Sequence, residues 1–446
     1  MKIASENLRL ALITFCCLAA VSLAERARAD ITYIVDSTLD QIDDDISDGV
    51  CHTVADTCTL RAAVMQANVI TGPGVTIELP SGTYLLTRPP AGTNGDSNGD
   101  LNITAPPAGN TTTVTISGAG SENTIIDANQ LDRAVSVASG RTATLHAISI
   151  TRGFIAGSGA GGAISNAGNL TVQGCRLIGN ITGYGGAINN YGTILITEST
   201  LSMNTATLRG GGIHSFGLSA SAPAMTKINR CTIDSNIASL GAGIFDDFSF
   251  VSIIGTTIAD NRADSLGGGV YNIGGANPAT LNIYSSTIVN NEAAHNGVAS
   301  SGSGGGIFNG TSGTSNIRNT LIVGNYRYDT RVADDCKGSL SAYGFNLFST
   351  ISACAVANSL NYGLLNSIEA IGPLQYNGGP TLTAALLPGS NAIDAAGAGG
   401  CIDSGGNLIV TDQRGYARIF GDSCDIGAYE YGSFDPEDVV YSSGFD

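Results

Sequence analysis

Residues 161–204 read GGAISNAGNLTVQGCRLIGNITGYGGAINNYGTILITESTLSMN. This stretch contains one unit twice: a Gly-rich entry, an Asn, alternating apolar residues and a closing Asn. The entry recurs at intervals of roughly 24–37 residues, as Gly161–Ile164, Gly185–Ile188, Gly210–Ile213, Gly241–Ile244, Gly267–Val270 and Gly304–Ile307. Repeats of this length indicate a solenoid.

Within the unit, an apolar residue is followed five positions later by a second one, and three positions after that by Asn. The first positions are Val172, Ile196, Ile228, Ile253 and Ile283; the second are Leu177, Leu201, Ile233, Ile258 and Ile288; the asparagines are Asn180, Asn204, Asn236, Asn261 and Asn291. Short strands of this kind bury their apolar edge only by stacking coil on coil, with a rise of about 4.8 Å. Asn at a repeated turn can bond the next turn, and Gly permits sharp bends. The pattern predicts an all-β, single-stranded, right-handed parallel β-helix.

The flanking segments predict five regions. Residues 1–29 have a basic start, the apolar run Leu10–Ala24 and small residues at Ala27–Ala29, which is typical of a cleaved signal peptide. We expect an N-terminal cap over 30–75, β-helix repeats over 76–330, a distinct C-terminal region over 331–431 and an acidic tail over 432–446. The tail is either frayed or a sorting tag.

Charge limits the possible partners. Without residues 1–29 the chain has 16 basic and 35 acidic residues, a net charge of −19, and its only lysines are Lys227 and Lys337. Nucleic acid is therefore not an expected partner, because phosphate binding needs clustered positive charge. No later stretch is apolar enough to span a membrane. We expect an extracellular or bacterial outer-surface protein whose partner is a polysaccharide or another surface protein.

A short N-terminal motif resembles a known element. Cys58–Ala63 reads CTLRAA and follows Ser47–Cys51, which is similar to the CSLREA domain, although Ala62 stands where Glu is usual. Thr59 can cap a helix in which Leu60, Val64 and Ala67 share one face. We expect this helix to plug the open end of the coil. Residues 77–84, IELPSGTY, resemble the first coil of pectin-lyase-like β-helices.

The C-terminal region carries a second resemblance. Its segments GPL (372–374), LPGS (387–390), TDQRG (411–415) and CDIGAYE (424–430) closely resemble the choice-of-anchor Q domain of secreted bacterial proteins. The Gly-rich units followed by Asn are more loosely similar to polymorphic outer membrane proteins. These resemblances imply a secreted or surface β-helix and no single activity.

The cysteines predict disulfides rather than a metal site. Local pairs are Cys51 with Cys58, Cys336 with Cys354 and Cys401 with Cys424, and an exported protein can oxidise them. Cys175 and Cys231 lie at the same repeat position two coils, about 9.6 Å, apart, which is too far for a disulfide. We expect them to be buried thiols in a column with Ser199, Thr256 and Ser286.

Several acidic groups are candidates for chemistry. Asp246-Asp247 is similar to the paired aspartates of β-helix glycoside hydrolases, but strand neighbours face opposite sides, and Asp246 fits a turn column with Asn166, Asn190, Ser215, Asn272 and Asn309. Asn94–Asp100 alternates like a calcium loop, yet Ala105 stands where the bidentate Glu belongs. We therefore predict no cofactor and no metal. Glu198 and Arg230 are an expected surface pair, and Asp127, Asp132 and Arg133 stay open as a site in the irregular coils.

One column predicts binding. The residue after each Gly-rich entry is expected to point outward, as Ser165, Asn189, His214, Phe245, Tyr271 and Phe308. Exposed aromatics with Asn and His suit stacking on sugars or on a partner protein; the alternative is that a side loop covers them. Two functions remain: a binding, adhesin-like or envelope-polysaccharide-associated protein without catalysis, or a carbohydrate-active enzyme of the polysaccharide lyase or glycoside hydrolase type. Carboxylates with Arg or Lys in one groove would favour the enzyme.

Overall fold

The computed structural model describes residues 30–434 except 73, 92–95, 106–111, 220–222, 276, 296–302, 359–361, 365–369, 398–400 and 404. The expected signal peptide and all but the first three residues of the tail lie outside this part. The first coils contain β1 (Ile31–Ile34), helix α1 (Leu60–Val69), β2 (Val75–Leu79), β3 (Gly82–Leu85), β4 (Leu101–Ile103), β5 (Thr113–Gly118), β6 (Thr124–Asp127), β7 (Val135–Val137), β8 (Thr142–His146) and β9 (Ser149–Thr151).

The regular coils have up to four strands each. They are β10 (Ile164–Asn166), β11 (Asn169–Gln173), β12 (Arg176–Ile178), β13 (Ile181–Tyr184), β14 (Ile188–Asn190), β15 (Thr193–Thr197), β16 (Thr200–Ser202), β17 (Thr205–Arg209), β18 (Ile213–Phe216), β19 (Met225–Asn229), β20 (Thr232–Asp234), β21 (Ile237–Leu240), β22 (Ile244–Asp247), β23 (Phe250–Ile254), β24 (Thr257–Ala259), β25 (Arg262–Leu266), β26 (Val270–Ile273), β27 (Ala279–Tyr284), β28 (Thr287–Val289) and β29 (Glu292–Ala293). After them come β30 (Ile307–Asn309), β31 (Gly313–Arg318), β32 (Leu321–Val323), β33 (Tyr326–Arg327), β34 (Cys336–Tyr343), β35 (Asn346–Phe348), β36 (Cys354–Ala357), β37 (Tyr362–Leu364), β38 (Ile371–Gln375) and β39 (Thr383–Leu386).

Apart from β38 and β39, which pair antiparallel with each other, these strands stack into parallel sheets that run along a right-handed β-helix, so the predicted fold is confirmed. Sheet 1 contains β4, β7, β10, β14, β18, β22, β26 and β30; sheet 2 contains β1, β2, β5, β8, β11, β15, β19, β23, β27, β31, β34 and β36. Sheet 3 contains β3, β6, β9, β12, β16, β20, β24, β28, β32, β35 and β37, and sheet 4 contains β13, β17, β21, β25, β29 and β33. Parallel strand pairing therefore extends into the expected N-terminal cap, residues 30–75, and into the C-terminal region, residues 331–431.

The predicted register holds residue by residue. Val172 pairs with Ile196 in sheet 2, and Leu177 pairs with Leu201 in sheet 3. These side chains point into the coil and are fully buried, so the two apolar positions of the repeat form the core. The Gly-rich entry lies at the turn from sheet 4 to sheet 1. A Cβ on Gly186 would lie 2.3 Å from the carbonyl oxygen of Gly211 in the next coil, so a side chain has no room.

The recurring asparagines form a buried ladder at the turn from sheet 3 to sheet 4. Asn180, Asn204, Asn236, Asn261 and Asn291 each donate from Nδ2 to Oδ1 of the next Asn, at 2.8–3.0 Å, and the last acceptor in this row is Asn325. Asn325 in turn donates to Asp335 Oδ1 at 3.0 Å. Each amide therefore bonds a neighbouring coil through its side chain, which satisfies the polar groups that the turn buries.

Helix α1 closes the N-terminal end of the coil. The Thr59 hydroxyl accepts a hydrogen bond from Ala62 N at 3.1 Å, so the predicted cap is present. Leu60, Val64 and Ala67 pack against the first apolar layer. Arg61 points to the other side of the helix, toward the acidic loop that resembles a calcium site.

The C-terminal region folds back over the outer face of sheet 3. Thr232, Thr257 and Thr287 form one outward column on successive coils. Thr232 Oγ1 donates to the Leu382 carbonyl at 2.6 Å, Thr257 Oγ1 donates to Gln413 Oε1 at 2.6 Å, and Thr287 Oγ1 accepts from Ala428 N at 2.9 Å. Sheet 3 is thereby covered along these three coils.

Candidate functional site

All three predicted disulfides are present. The Cα atoms lie 5.1 Å apart in Cys51–Cys58, 5.6 Å in Cys336–Cys354 and 6.3 Å in Cys401–Cys424. Cys175 and Cys231 are free and buried, as predicted, and burial raises the pKa of each thiol to about 12. Three disulfides fit folding in an oxidising compartment.

The predicted binding column lies in register along sheet 1 but is not exposed. Asn189, His214, Phe245 and Tyr271 are all at most 7% exposed, and Phe308 is partly exposed. The expectation of exposure was wrong for the first four, because each ring is covered by its neighbours one coil away. The Phe245–Tyr271 and Tyr271–Phe308 ring centroids lie 4.7 and 4.6 Å apart. The alternative expectation was that a side loop covers this column. Residues 296–302 of that loop lie outside the described residues.

A polar cluster flanks this column. His214 Nδ1 lies 2.7 Å from Asn189 Oδ1, and because an amide oxygen only accepts, this nitrogen carries the proton. Arg209 Nη1 donates to Asp247 Oδ2 at 2.6 Å, and the guanidinium lies over the Phe245 ring, 5.0 Å from its centroid. Burial lowers the pKa of His214, against the opposing effect of Asp247. The imidazole is therefore neutral and buried, and Arg209 is the member that reaches solvent.

Asp246 and Asp247 do face opposite sides of their strand, as predicted. Asp246 is fully buried at the turn, where the Ser249 hydroxyl donates to Oδ1 at 2.5 Å. Burial raises the pKa of Asp246 well above its usual range. The pair does not present two carboxylates to one substrate.

The other acidic candidates have internal partners. Asp127 forms a bidentate pair with Arg152, while Arg133 pairs with Asp100 at 2.8 Å. Asp132 Oδ2 accepts from the Asp100 backbone at 3.3 Å. These contacts link neighbouring early coils.

The calcium-like loop is organised by a guanidinium. Arg61 is buried and donates to the carbonyl oxygens of Gly99 at 2.8 Å and Asp96 at 3.1 Å, and to the Asp40 carboxylate at 2.5 Å. A helix residue thus supplies the positive charge that a metal would supply. Among the residues that the structure describes, no group of three or more His, Cys, Asp or Glu side chains is placed to hold a metal.

Sequence reasoning missed a second cluster, on sheet 4. Arg262, Glu292 and Tyr326 stack in one outward column on successive coils, directly after the ladder asparagines. Glu292 is 2% exposed and accepts from His295 Nδ1 at 2.5 Å and from the Tyr326 hydroxyl at 3.1 Å. Arg262 Nε lies 3.7 Å from the same carboxylate. We call these four residues, with Tyr328, the Glu292 site.

Aromatic rings surround the Glu292 site. The His295 and Tyr328 ring centroids lie 4.6 Å apart, and the Arg331 guanidinium lies 4.5 Å from the Tyr328 centroid. Burial, followed by the charge of Glu292, raises the pKa of the Tyr326 hydroxyl. A cleft of about 390 Å³ opens beside Arg262, Glu292 and Tyr326. In the sequence, the column of the Glu292 site is the residue directly after each ladder asparagine. The register of apolar residues does not include that position.

The Glu292 site combines two chemical capacities. Its rings and half-exposed Arg262 suit the faces and hydroxyls of a sugar. Its buried carboxylate contacts Nδ1 of His295 and so fixes the orientation of that ring. Carboxylate and Arg therefore do occur in one groove of this protein.

Comparison with known proteins supports the class of fold. Among solved structures, the crystal structure of the pectate lyase Pel9A aligns with a TM-score of 0.52, over 91% of this chain and 97% of its own, at 13% identity. The chain is thus a parallel β-helix protein of the pectate lyase fold; at this identity the likeness shows the fold alone. No family model matches the sequence, and no curated protein matches it. In the part of the chain described, no helix is long and apolar enough to cross a membrane.

Proposed function

We propose that this chain is an exported β-helix protein that binds polysaccharide at the Glu292 site. The observation that carries the proposal is the cleft lined by Arg262, Glu292 and Tyr326, with the His295 ring bonded to Glu292 and the Tyr328 ring packed against His295. Rings fixed in this way lose little conformational freedom on binding, and the adjoining polar groups orient a sugar. Export is supported by the disulfides and by the expected signal peptide.

The experiment is affinity electrophoresis and calorimetry on a panel of neutral and acidic polysaccharides. Replacing Tyr328 by Ala removes one stacking face and should weaken binding about tenfold, since such contacts contribute about 1.4 kcal/mol. The matched control is Tyr343→Ala, which removes an exposed tyrosine from sheet 2. Equal affinity of wild type and Tyr328→Ala for every ligand that binds would refute the site.

A second function, carbohydrate cleavage, is favoured by one observation: the buried Glu292, which lines the cleft, is hydrogen-bonded to His295. A carboxylate that orients a histidine in this way is typical of a general base. Assays for new reducing ends and for unsaturated sugar ends separate cleavage from binding. A cleaving protein should generate new ends that are lost in His295→Ala, whereas a binding protein generates no new ends in any variant.

A further inference from the structure

A different cleft lies between sheet 3 and the C-terminal region. Its volume is about 560 Å³, within the range of about 300–1,000 Å³ that is usual for ligand pockets. One wall is formed by outward residues of sheet 3, and the other by Tyr376 and residues 380–382. The bond from Thr232 to the Leu382 carbonyl holds the two walls together. We call this space the Asp234 cleft, and it is separate from the Glu292 site.

Asp234 is the distinctive group in this cleft. It ends β20, is 7% exposed, and lines the cleft. Its Oδ2 accepts from the Ser202 hydroxyl at 2.9 Å, and the carboxylate has no cationic partner among the described residues. A largely buried carboxylate without a cation beside it favours a ligand that brings a positive charge.

The charges around Asp234 determine which kind of ligand group would bind to its carboxylate. The other carboxylates that line the cleft already have cations: Glu122 pairs with Arg176, and Glu198 pairs with Arg230, as predicted. Asp234 forms no ion pair within the described residues, and Asp260, one coil away, adds a second negative charge nearby. Burial raises the pKa of Asp234. The cleft therefore lacks one positive charge, and it repels anionic ligands.

The rim adds a surface for a ring. Tyr376 is 71% exposed and Met203 is 58% exposed, although both border the cleft. Large apolar groups left open at a cleft mark contact sites, and a tyrosine face attracts a cation as well as a sugar ring.

We propose that the Asp234 cleft binds an amino sugar unit of a glycan, with the protonated amine paired to the Asp234 carboxylate and the ring against Tyr376. An ammonium group supplies the missing positive charge, which a neutral hydroxyl does not. The proposal goes beyond the binding site on sheet 4 and does not depend on it.

The test is calorimetry with a glucosamine tetramer, its fully N-acetylated form and a neutral glucose tetramer. The first should bind, and the other two should bind at least tenfold more weakly. Asp234→Asn keeps the shape and should lower affinity for the glucosamine tetramer at least tenfold; Glu78→Gln, which removes an exposed charge elsewhere, should leave it unchanged. Unfolding midpoints of both variants establish that they are folded.

Affinity should also rise as the pH rises through the pKa of Asp234, which burial places above its usual value, because the ammonium group binds the ionised form of Asp234 and a proton competes with it. Asp234→Asn should remove this dependence. Equal binding of the acetylated tetramer, or unchanged affinity in Asp234→Asn, overturns the proposal. If Tyr328→Ala abolishes binding of the glucosamine tetramer, the ligand binds at the Glu292 site on sheet 4, and the proposal is overturned.

Discussion

Replacing Asn236 by Ala tests how much the asparagine ladder stabilises the coil. The change removes four hydrogen bonds: two that Asn236 Oδ1 accepts from the backbone and side chain of Asn204, and two that Nδ2 donates, to the Leu201 carbonyl and to Asn261. A buried hydrogen bond contributes about 0.5–1.5 kcal/mol net, so the loss should be about 4 kcal/mol. The donors of Asn204 also have no water to replace the lost acceptor, because the site is fully buried.

The assay is urea unfolding followed by circular dichroism, with Asn123→Ala as the control. Asn123 is exposed, and its side chain makes one 3.5 Å bond to Ala119, so its replacement should change the free energy of unfolding by less than about 0.5 kcal/mol. A loss below about 1 kcal/mol for Asn236→Ala would contradict the expectation, since it would mean that neighbouring coils form without the ladder. Hydrogen exchange at Asn204 should report the same loss locally.

Burial leads to three further predictions. Cys175 and Cys231 should resist a thiol reagent in the folded protein and give two equivalents in denaturant; reaction before unfolding would show that they are accessible. Burial raises the pKa of Glu430 to about 8, so the folded state keeps a proton that the unfolded state releases above about pH 4.3. Stability should therefore fall as pH rises toward 8, and Glu430→Gln should flatten this decline in the urea midpoint; an unchanged slope would assign it to other groups. Phe245→Ala should cost about 3–5 kcal/mol, because the ring is 1% exposed; a wild-type melting curve would show that the column tolerates a void.

The coil could be predicted from the sequence because every repeat has apolar residues at the same two positions, and these must be buried in every coil. Val172 and Leu177 are buried for the same reason as Ile196 and Leu201, and one register accounts for all of them. The covering of sheet 3 could not be predicted in this way. Thr257 is an ordinary outward strand residue until Gln413, far along the chain, contacts it. Nothing in the local spacing encodes that contact.

The candidate site could be predicted from the sequence only in part, for a similar reason. Alignment of the coils placed Asn189, His214 and Phe245 in one column correctly, but exposure depends on what lies one coil above and below, and rings stacked at that spacing cover one another. Asp247 and His214 meet diagonally, across both coil and column. A search confined to single columns therefore separated polar groups that the folded sheet brings together.

The asparagine ladder has a direction, and Asp335 ends it. Every amide in the row donates toward the C-terminal end, and the carboxylate of Asp335 accepts from Asn325 without an amide donor of its own to pass onward. Further bonds to its second oxygen come from Ser349 and Thr350. Whole coils inserted between Asn204 and Asn291 would extend the row unbroken, whereas coils added beyond Asp335 would need an amide at that position. Asp335 thus sets where the ladder stops, although sheets 2 and 3 continue through β34–β37, and a longer or shorter ladder could be built by adding or removing coils upstream of it.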